Sequence, residues 1–210
     1  TAVAVAAALL DVQNKLKITG DLLEIGAWHG KSAALWMLFS NQNENTTVID
    51  LGGRYPLEEN LNKISKNISR DFQFYNKSSP KFPDPAWIQE NYRTFRLIHI
   101  DGDHSAPGVQ NDLEIVRDLL HPFGLIIIDD FFNPRFPQIT EVVFDFLQRH
   151  SHEFSLICVG GNKGFVVKTK KFFEIYKLLN VSLPEIICSM NIKAEVFEST
   201  ALNRPCLGIR

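Results

Sequence analysis

Two apolar runs in the 210-residue sequence end in acids that could do chemistry: Ile98-His99-Ile100-Asp101-Gly102-Asp103-His104-Ser105 and Ile126-Ile127-Ile128-Asp129-Asp130-Phe131. Carboxylates gathered at one place repel each other unless a cation sits among them. Hard oxygen donors suit Mg²⁺, Mn²⁺ or Ca²⁺ more than zinc. Asp101, Asp129 and Asp130 are therefore candidate ligands of a divalent metal. Single acids of this kind also cap helices and accept backbone N–H bonds, so the case rests on the set. His104 stands three residues beyond Asp101, at the entry to a helical pattern. An imidazole beside a bound hydroxyl can take its proton near neutral pH. The plainer role for His104 is to orient the loop or to bond Asp103.

A second constellation precedes these. Asp21-Leu22-Leu23-Glu24-Ile25-Gly26-Ala27-Trp28-His29-Gly30-Lys31-Ser32 reads as a strand, a glycine bend and a helix start. Gly26 and Gly30 let the chain turn tightly and let a ligand lie against it. Ser32 is a sound N-cap residue. The same pair of glycines also suits an ordinary strand–turn–helix joint. Glu24 shifts the balance: a carboxylate just before the bend would sit near a sulfonium or amino group and would repel a pyrophosphate. The dinucleotide fingerprint also needs a third glycine two residues after its second, and the spacing here disfavours NAD. The next strand ends at Asp50, followed by Leu51-Gly52-Gly53, which places an acid where ribose hydroxyls could be held. A turn-forming Asp before Gly is the alternative. The remaining histidines have weaker claims: His29 would shape the bend, His99 would pack within a strand, His121 would precede Pro122 in a turn, and His150 and His152 would end a helix.

The elements that must position these residues follow from hydrophobic pattern. Leu22–Ile25, Thr47–Ile49, Phe95–Ile100 and Leu125–Ile128 are short, non-alternating apolar runs, as strands buried on both faces require. Helical patterns at Ser32–Ser40, Leu57–Ile68 and Val109–Leu120 separate them. This alternation predicts βαβ units in a doubly wound, mostly parallel sheet, an α/β fold. If the last two runs are neighbouring strands, Asp101 and Asp129 lie about 5 Å apart at the backbone. A shorter strand fits near Phe72–Tyr75. Pro80, Pro83 and Pro85 then break the chain before a short helix near Ala86–Tyr92. A helix over Gln138–His150 comes next. Phe154–Val159 and Gly164–Lys168 flank Gly160-Gly161-Asn162-Lys163, an antiparallel hairpin signal. From Lys170 onward the pattern predicts a helix and then irregular chain.

Composition bounds the rest. A formal net charge of −2 with no long basic run gives no footprint for nucleic acid or an anionic membrane. A small molecule is the expected partner, with a homo-oligomer open. Cys158, Cys188 and Cys206 fit no zinc or redox spacing and imply a reducing, cytoplasmic setting. The Ala-rich opening lacks a basic leader and predicts an amphipathic helix packed on the sheet or on another subunit, not a signal or a membrane span. One domain spans 1–210: an opening helix over 1–19, a core over 20–168 and an extension over 169–210.

Glu24-Ile-Gly-Ala-Trp-His-Gly-Lys-Ser32 resembles the first cofactor motif of class I S-adenosylmethionine-dependent methyltransferases. Ile100-Asp-Gly-Asp-His-Ser105 with Gly124-Leu-Ile-Ile-Ile-Asp-Asp130 resembles one subgroup, the O-methyltransferases of the macrocin and mycinamicin sugar type and their cephalosporin-pathway relatives. The likeness runs from about Gly20 to Lys168. It implies a Rossmann-like methyltransferase fold and S-adenosyl-L-methionine as cofactor. Glu24, Gly26, Ala27, Trp28, Gly30 and Ser32 would line its methionine part, Asp50 its ribose, and Ser78 and Ser79 its adenine, with Asp101 at the same rim. The adenine segment of the relatives usually carries an acid where Ser78 stands here. Asp101, Asp129 and Asp130 would hold the metal, with His104 as base. The activity implied is O-methyl transfer to a sugar or other vicinal diol of a natural product. Two rivals carry different chemistry: an accessory protein that binds the cofactor without turnover, and a metal-dependent hydrolase that needs neither Glu24 nor the glycine bend.

Overall fold

A computed structural model of the chain describes residues 1–52, 56–79 and 82–210; Gly53 and Pro80 lie outside the described residues. In chain order the elements are α1 (Ala2–Lys15), β1 (Asp21–Ile25), α2 (Lys31–Phe39), β2 (Thr46–Asp50), α3 (Leu57–Ile68), β3 (Phe72–Asn76), α4 (Pro85–Glu90), β4 (Phe95–Ile100) and α5 (Ala106–Leu119). Then follow β5 (Leu120–Ile128), α6 (Pro137–Arg149), β6 (Phe154–Gly160), β7 (Lys163–Lys168), α7 (Phe172–Ser189), β8 (Val196–Ala201) and β9 (Arg204–Ile209). The contacts divide the chain into two compact units, 19–121 and 1–18 together with 122–210.

In the unit 19–121 the strands run parallel in the order β3-β2-β1-β4. Every residue of β4 is buried, and so are four of the five in β1 and in β2. Apolar side chains on both faces of these strands explain the unbroken hydrophobic runs. The helix α3 puts Leu57 and Leu61 against Ala33, Met37 and Val48. Its other face is charged, as a helix covering one sheet face requires. Ile25 lies beside Ile49 on one side and Ile100 on the other. That register brings Gly26, Asp50 and Asp101 out together at the carboxyl edge.

In the other unit β5 and β6 each pair antiparallel with β7, and β6 also pairs parallel with β9. Gly161 and Asn162 form the β6–β7 turn at φ 58° and 64°, the left-handed pair that a two-residue hairpin needs. The opening helix α1 packs along α7: Lys15 donates to Ser182 Oγ at 2.8 Å, and Ser182 donates to Asp11 at 2.9 Å. Among the described residues no helix is long and apolar enough to cross a membrane.

Three local expectations are corrected. The tail beyond α7 is not irregular: β8 and β9 form an antiparallel hairpin. Its turn is Leu202-Asn203, both at positive φ, and β8 carries Glu, Ser and Thr on a largely exposed strand, so no apolar run announces it. His121 and Pro122 lie inside β5, not in a turn; proline's fixed φ is compatible with extended chain. Ser32 is not the N-cap of α2. Gly30, at φ 85°, holds that place, and Ser32 has entered the first turn.

Candidate active site

The bend after β1 is set by glycine chemistry. Gly26 has φ 80°, and a Cβ there would lie 1.9 Å from the carbonyl oxygen of Asp101. No side chain fits, so backbone meets backbone at the edge of β1 and β4. Asp50 reaches in from β2: its Oδ2 accepts hydrogen bonds from the Ala27 and Trp28 amides, the latter at 2.9 Å. A charged acceptor makes strong bonds to amides at such a turn. Trp28 is held at φ 48° with its indole largely exposed, packed beside His29 at 4.3 Å between ring centroids.

Glu24 faces inward. It is fully buried, and its carboxylate takes the Ser32 hydroxyl, the Trp36 indole N–H and His99 Nδ1, the last at 3.0 Å. A buried carboxylate is tolerable only when its oxygens are bonded in this way. The structure therefore gives Glu24 and Ser32 a shared task, tying β1 to the start of α2 and to β4. His99 belongs to this set, although sequence pattern marks it only as a packing residue. The signal that could have found it is the register, which pairs Glu24 with His99 across β1 and β4.

Beyond β4, His104 Nε2 stands 3.4 Å from Asp101 Oδ1. Asp103 is occupied otherwise: it accepts from the Ser105 amide at 3.0 Å and hydroxyl at 2.6 Å. Those Ser105 bonds hold its carboxyl below the usual range. Ser105 in turn caps α5 through the Gly108 amide at 3.2 Å. Of Ser78 and Ser79, the second is buried and bonds Asp112. Tyr75, Phe82 and Trp87 pack beside this segment, with Tyr75 and Phe82 stacked at 4.5 Å.

Asp112 lies on α5 with no exposure, and its Oδ2 has no hydrogen-bond partner among the described residues. Burial pushes its carboxyl up to about 6; the Ser79 and Asn111 bonds oppose this, and the charge of Asp103 adds to it. The native pKa thus exceeds the unfolded one. The penalty for the charged form is absent below about pH 4, grows as pH rises through about 6, and is complete above that. Asp112→Asn should stabilise the fold at pH 8 by up to about 3 kcal/mol and change little at pH 4. Denaturant unfolding at both values checks this; an equal effect at the two pH values would refute it.

In the other unit, Asp129 pairs with Lys163 at 2.5 Å and accepts from the Asp130 amide at 2.8 Å. Asp130, at φ 54°, accepts from the side-chain amides of Asn133 and Asn162, both at 2.7 Å. Sequence pattern marks Lys163 and Asn162 only as turn residues. Their place on the β6–β7 hairpin, which pairs with β5, brings them to the acids at its end.

The methyltransferase-domain family model matches residues 23–131, just over half of the chain. The chain belongs to this family. The match begins within β1 and ends past Asp129 and Asp130, so it takes in the glycine bend, Asp50, Asp101 and His104. No curated protein sequence matches significantly. Solved structures share the fold. CalS11, a TDP-rhamnose 3′-O-methyltransferase of calicheamicin biosynthesis, is 17% identical over 79% of this chain and 76% of its own, with TM-score 0.58. The O-methyltransferase NovP is 15% identical over 79% of each chain, with TM-score 0.53. MycE of the mycinamycin pathway, solved with Mg and S-adenosylhomocysteine, is 16% identical over 77% of this chain and 47% of its own, with TM-score 0.54. The expected α/β class thus holds. This methyltransferase has the Rossmann-like, mostly parallel class I fold with an antiparallel hairpin toward its C-terminal end, and its family's reaction is S-adenosylmethionine-dependent methylation.

Proposed function

We propose that this methyltransferase moves the methyl group of S-adenosyl-L-methionine onto a hydroxyl oxygen of a small molecule with two neighbouring oxygens, and that 1–210 acts as one catalytic domain. The observation that carries the reading is the bend at Gly26–Gly30, held by Asp50 and pressed against Asp101. Asp50 Oδ2 fixes the bend, which leaves Oδ1, unbonded among the described residues, for the ribose. Gly26, Ala27, Trp28 and Gly30 receive the methionine part, Ser78 and Ser79 flank the adenine, and Glu24 acts through Ser32 and His99 by fixing the bend. Asp101 orients His104 through Nε2, and Nδ1, the ring nitrogen that does not face this carboxylate, takes the hydroxyl proton as oxygen attacks the methyl carbon. The C–S bond breaks as the C–O bond forms, and S-adenosylhomocysteine leaves. Much of the acceleration comes from holding oxygen and methyl in line. The setting is cytoplasmic, with nucleic acid and membrane outside its partners.

On this reading Asp101, Asp129 and Asp130 are hard-oxygen donors of the kind that suit a divalent cation such as Mg²⁺. A metal held by these acids would supply Lewis acidity and lower the pKa of the acceptor hydroxyl. The Lys163–Asp129 pair favours a second reading in which the ammonium is the counter-charge and no metal is needed. Asp129→Asn decides. The metal reading expects turnover to fall by a factor on the order of 100, loss of Mg²⁺ stimulation, and unchanged affinity for S-adenosylhomocysteine. Full activity in excess chelator would replace it with the lysine reading. Without S-adenosylhomocysteine binding, the hydrolase rival would stand; binding without turnover would favour the accessory-protein rival.

A further inference from the structure

A cavity of about 290 Å³ opens within the unit that carries Asp129 and Asp130, near the low end for small-molecule sites. Its walls are apolar: Val159 and Ile209 from β6 and β9, and the rings of Phe132 and Phe197. Its polar side is Asn162 and Lys163, the residues bonded to Asp130 and Asp129. Both rings are substantially exposed, Phe132 at 55% and Phe197 at 41%. Exposed aromatic surface around a concave site marks ligand contact more than it marks packing.

The backbone is shaped to present these rings. Phe132 sits at φ 71°, a left-handed conformation that is strained for a bulky residue. It is held there by a bond from its amide to Thr140 Oγ1 at 3.0 Å. Phe197 lies opposite Gly208 in the β8–β9 register, and a Cβ at Gly208 would come within 2.3 Å of the ring. Glycine there lets the ring lie flat on β9. The hairpin lies beyond the stretch matched by the family model.

Resting on the methyl-transfer reading above, we propose that the acceptor is an aromatic ring bearing neighbouring hydroxyls, held between Phe132 and Phe197 with its oxygens toward Lys163 and the Asp129–Asp130 pair. A free sugar fits less well. Its hydroxyls, spread around the ring, would face Val159, Ile209 and two phenyl rings without partners, and each unpaired group costs binding energy. A flat aromatic diol puts apolar faces on the rings and its oxygens at one end, as the lining requires.

The test uses the full chain and two probes, 2,3-dihydroxynaphthalene and methyl α-L-rhamnopyranoside, with binding measured by calorimetry in the presence and absence of S-adenosylhomocysteine. The aromatic diol should bind at least about tenfold more tightly than the sugar. Phe197→Ala should weaken the diol about tenfold while leaving S-adenosylhomocysteine affinity unchanged. Phe132→Ala gives the same readout should the first variant fold poorly. Equal or tighter binding of the sugar, binding of neither probe, or diol affinity indifferent to both variants would overturn the proposal. Loss of S-adenosylhomocysteine binding by the unsubstituted chain would instead strike the methyl-transfer reading, and diol binding that depends on Phe197 would still uphold the cavity assignment.

Discussion

Gly26→Ala should weaken S-adenosylhomocysteine binding by a factor of about 100 or more and destabilise the fold by roughly 3 kcal/mol. Two independent effects combine. At φ 80° any Cβ is strained, by about 1–2 kcal/mol. The steric clash outweighs that strain: the new methyl would lie 1.9 Å from the Asp101 carbonyl oxygen and 2.4 Å from its carbon. Both atoms are backbone, so neither can rotate away, and β1 must separate from the chain that follows β4. The displaced bend would pull the Ala27 and Trp28 amides off Asp50. Gly30→Ala is the natural comparison. Its φ of 85° brings the same strain, but its Cβ would meet Leu57 Cδ1 at 3.0 Å and Leu61 Cδ2 at 3.1 Å, both ends of flexible side chains. A loss on the order of tenfold in affinity is expected there. Calorimetric titration and denaturant unfolding of the two variants read out the difference. Equal, small effects would mean that the bend does not seat the cofactor.

Arg96→Ala should cost about 3–5 kcal/mol of stability. Arg96 is 1% exposed, and its Nη2 lies 2.7 Å from Glu44 Oε2, with Nε to Oε1 at 2.8 Å. Glu44 also accepts from the Gly20 and Asn41 amides, and Arg96 donates to the Phe39 carbonyl. Removing the guanidinium leaves a carboxylate buried against two amides with no counter-charge. Burial alone would raise the Glu44 carboxyl; the bonds from Arg96 and Asn41 outweigh it, and the net direction is down. A lowered native pKa contributes stability that is present above the unfolded value of about 4.3 and is lost as pH falls through the native one. The Arg96→Ala defect should therefore be largest near neutral pH and shrink in acid. Urea unfolding at pH 7 and pH 4 measures it, and a defect that grows in acid would show that the pair is not what stabilises this corner. Glu44 and Arg96 link the start of β4 to the loop before β2.

The parallel half of the fold is legible in the sequence because burial on both faces writes unbroken apolar runs: β1, β2 and β4 fall within a residue or two of Leu22–Ile25, Thr47–Ile49 and Phe95–Ile100. The β6–β7 hairpin is legible because its turn needs left-handed residues and has Gly161 and Asn162. The β8–β9 hairpin is not, because an exposed edge strand with Glu198, Ser199 and Thr200 carries no hydrophobic period, and Leu202 at a left-handed turn position breaks the usual turn chemistry. At the site, Gly26 and Asp50 are legible as backbone requirements. What spacing cannot tell is where a side chain points. Spacing puts Glu24 at the ligand, yet it is spent inside on Ser32, Trp36 and His99. Lys163, which pairs with Asp129, comes from a hairpin more than thirty residues later in the chain. Its contact depends on strand pairing, which no local pattern encodes.

The most direct test of the central assignment is calorimetric titration of the full chain with S-adenosylhomocysteine, repeated on Asp50→Ala. Saturable one-to-one binding is expected, weakened by about tenfold or more when the carboxylate that grips the bend is removed. Absence of binding up to a concentration on the order of 1 mM, or an Asp50→Ala variant with undiminished affinity, would contradict it.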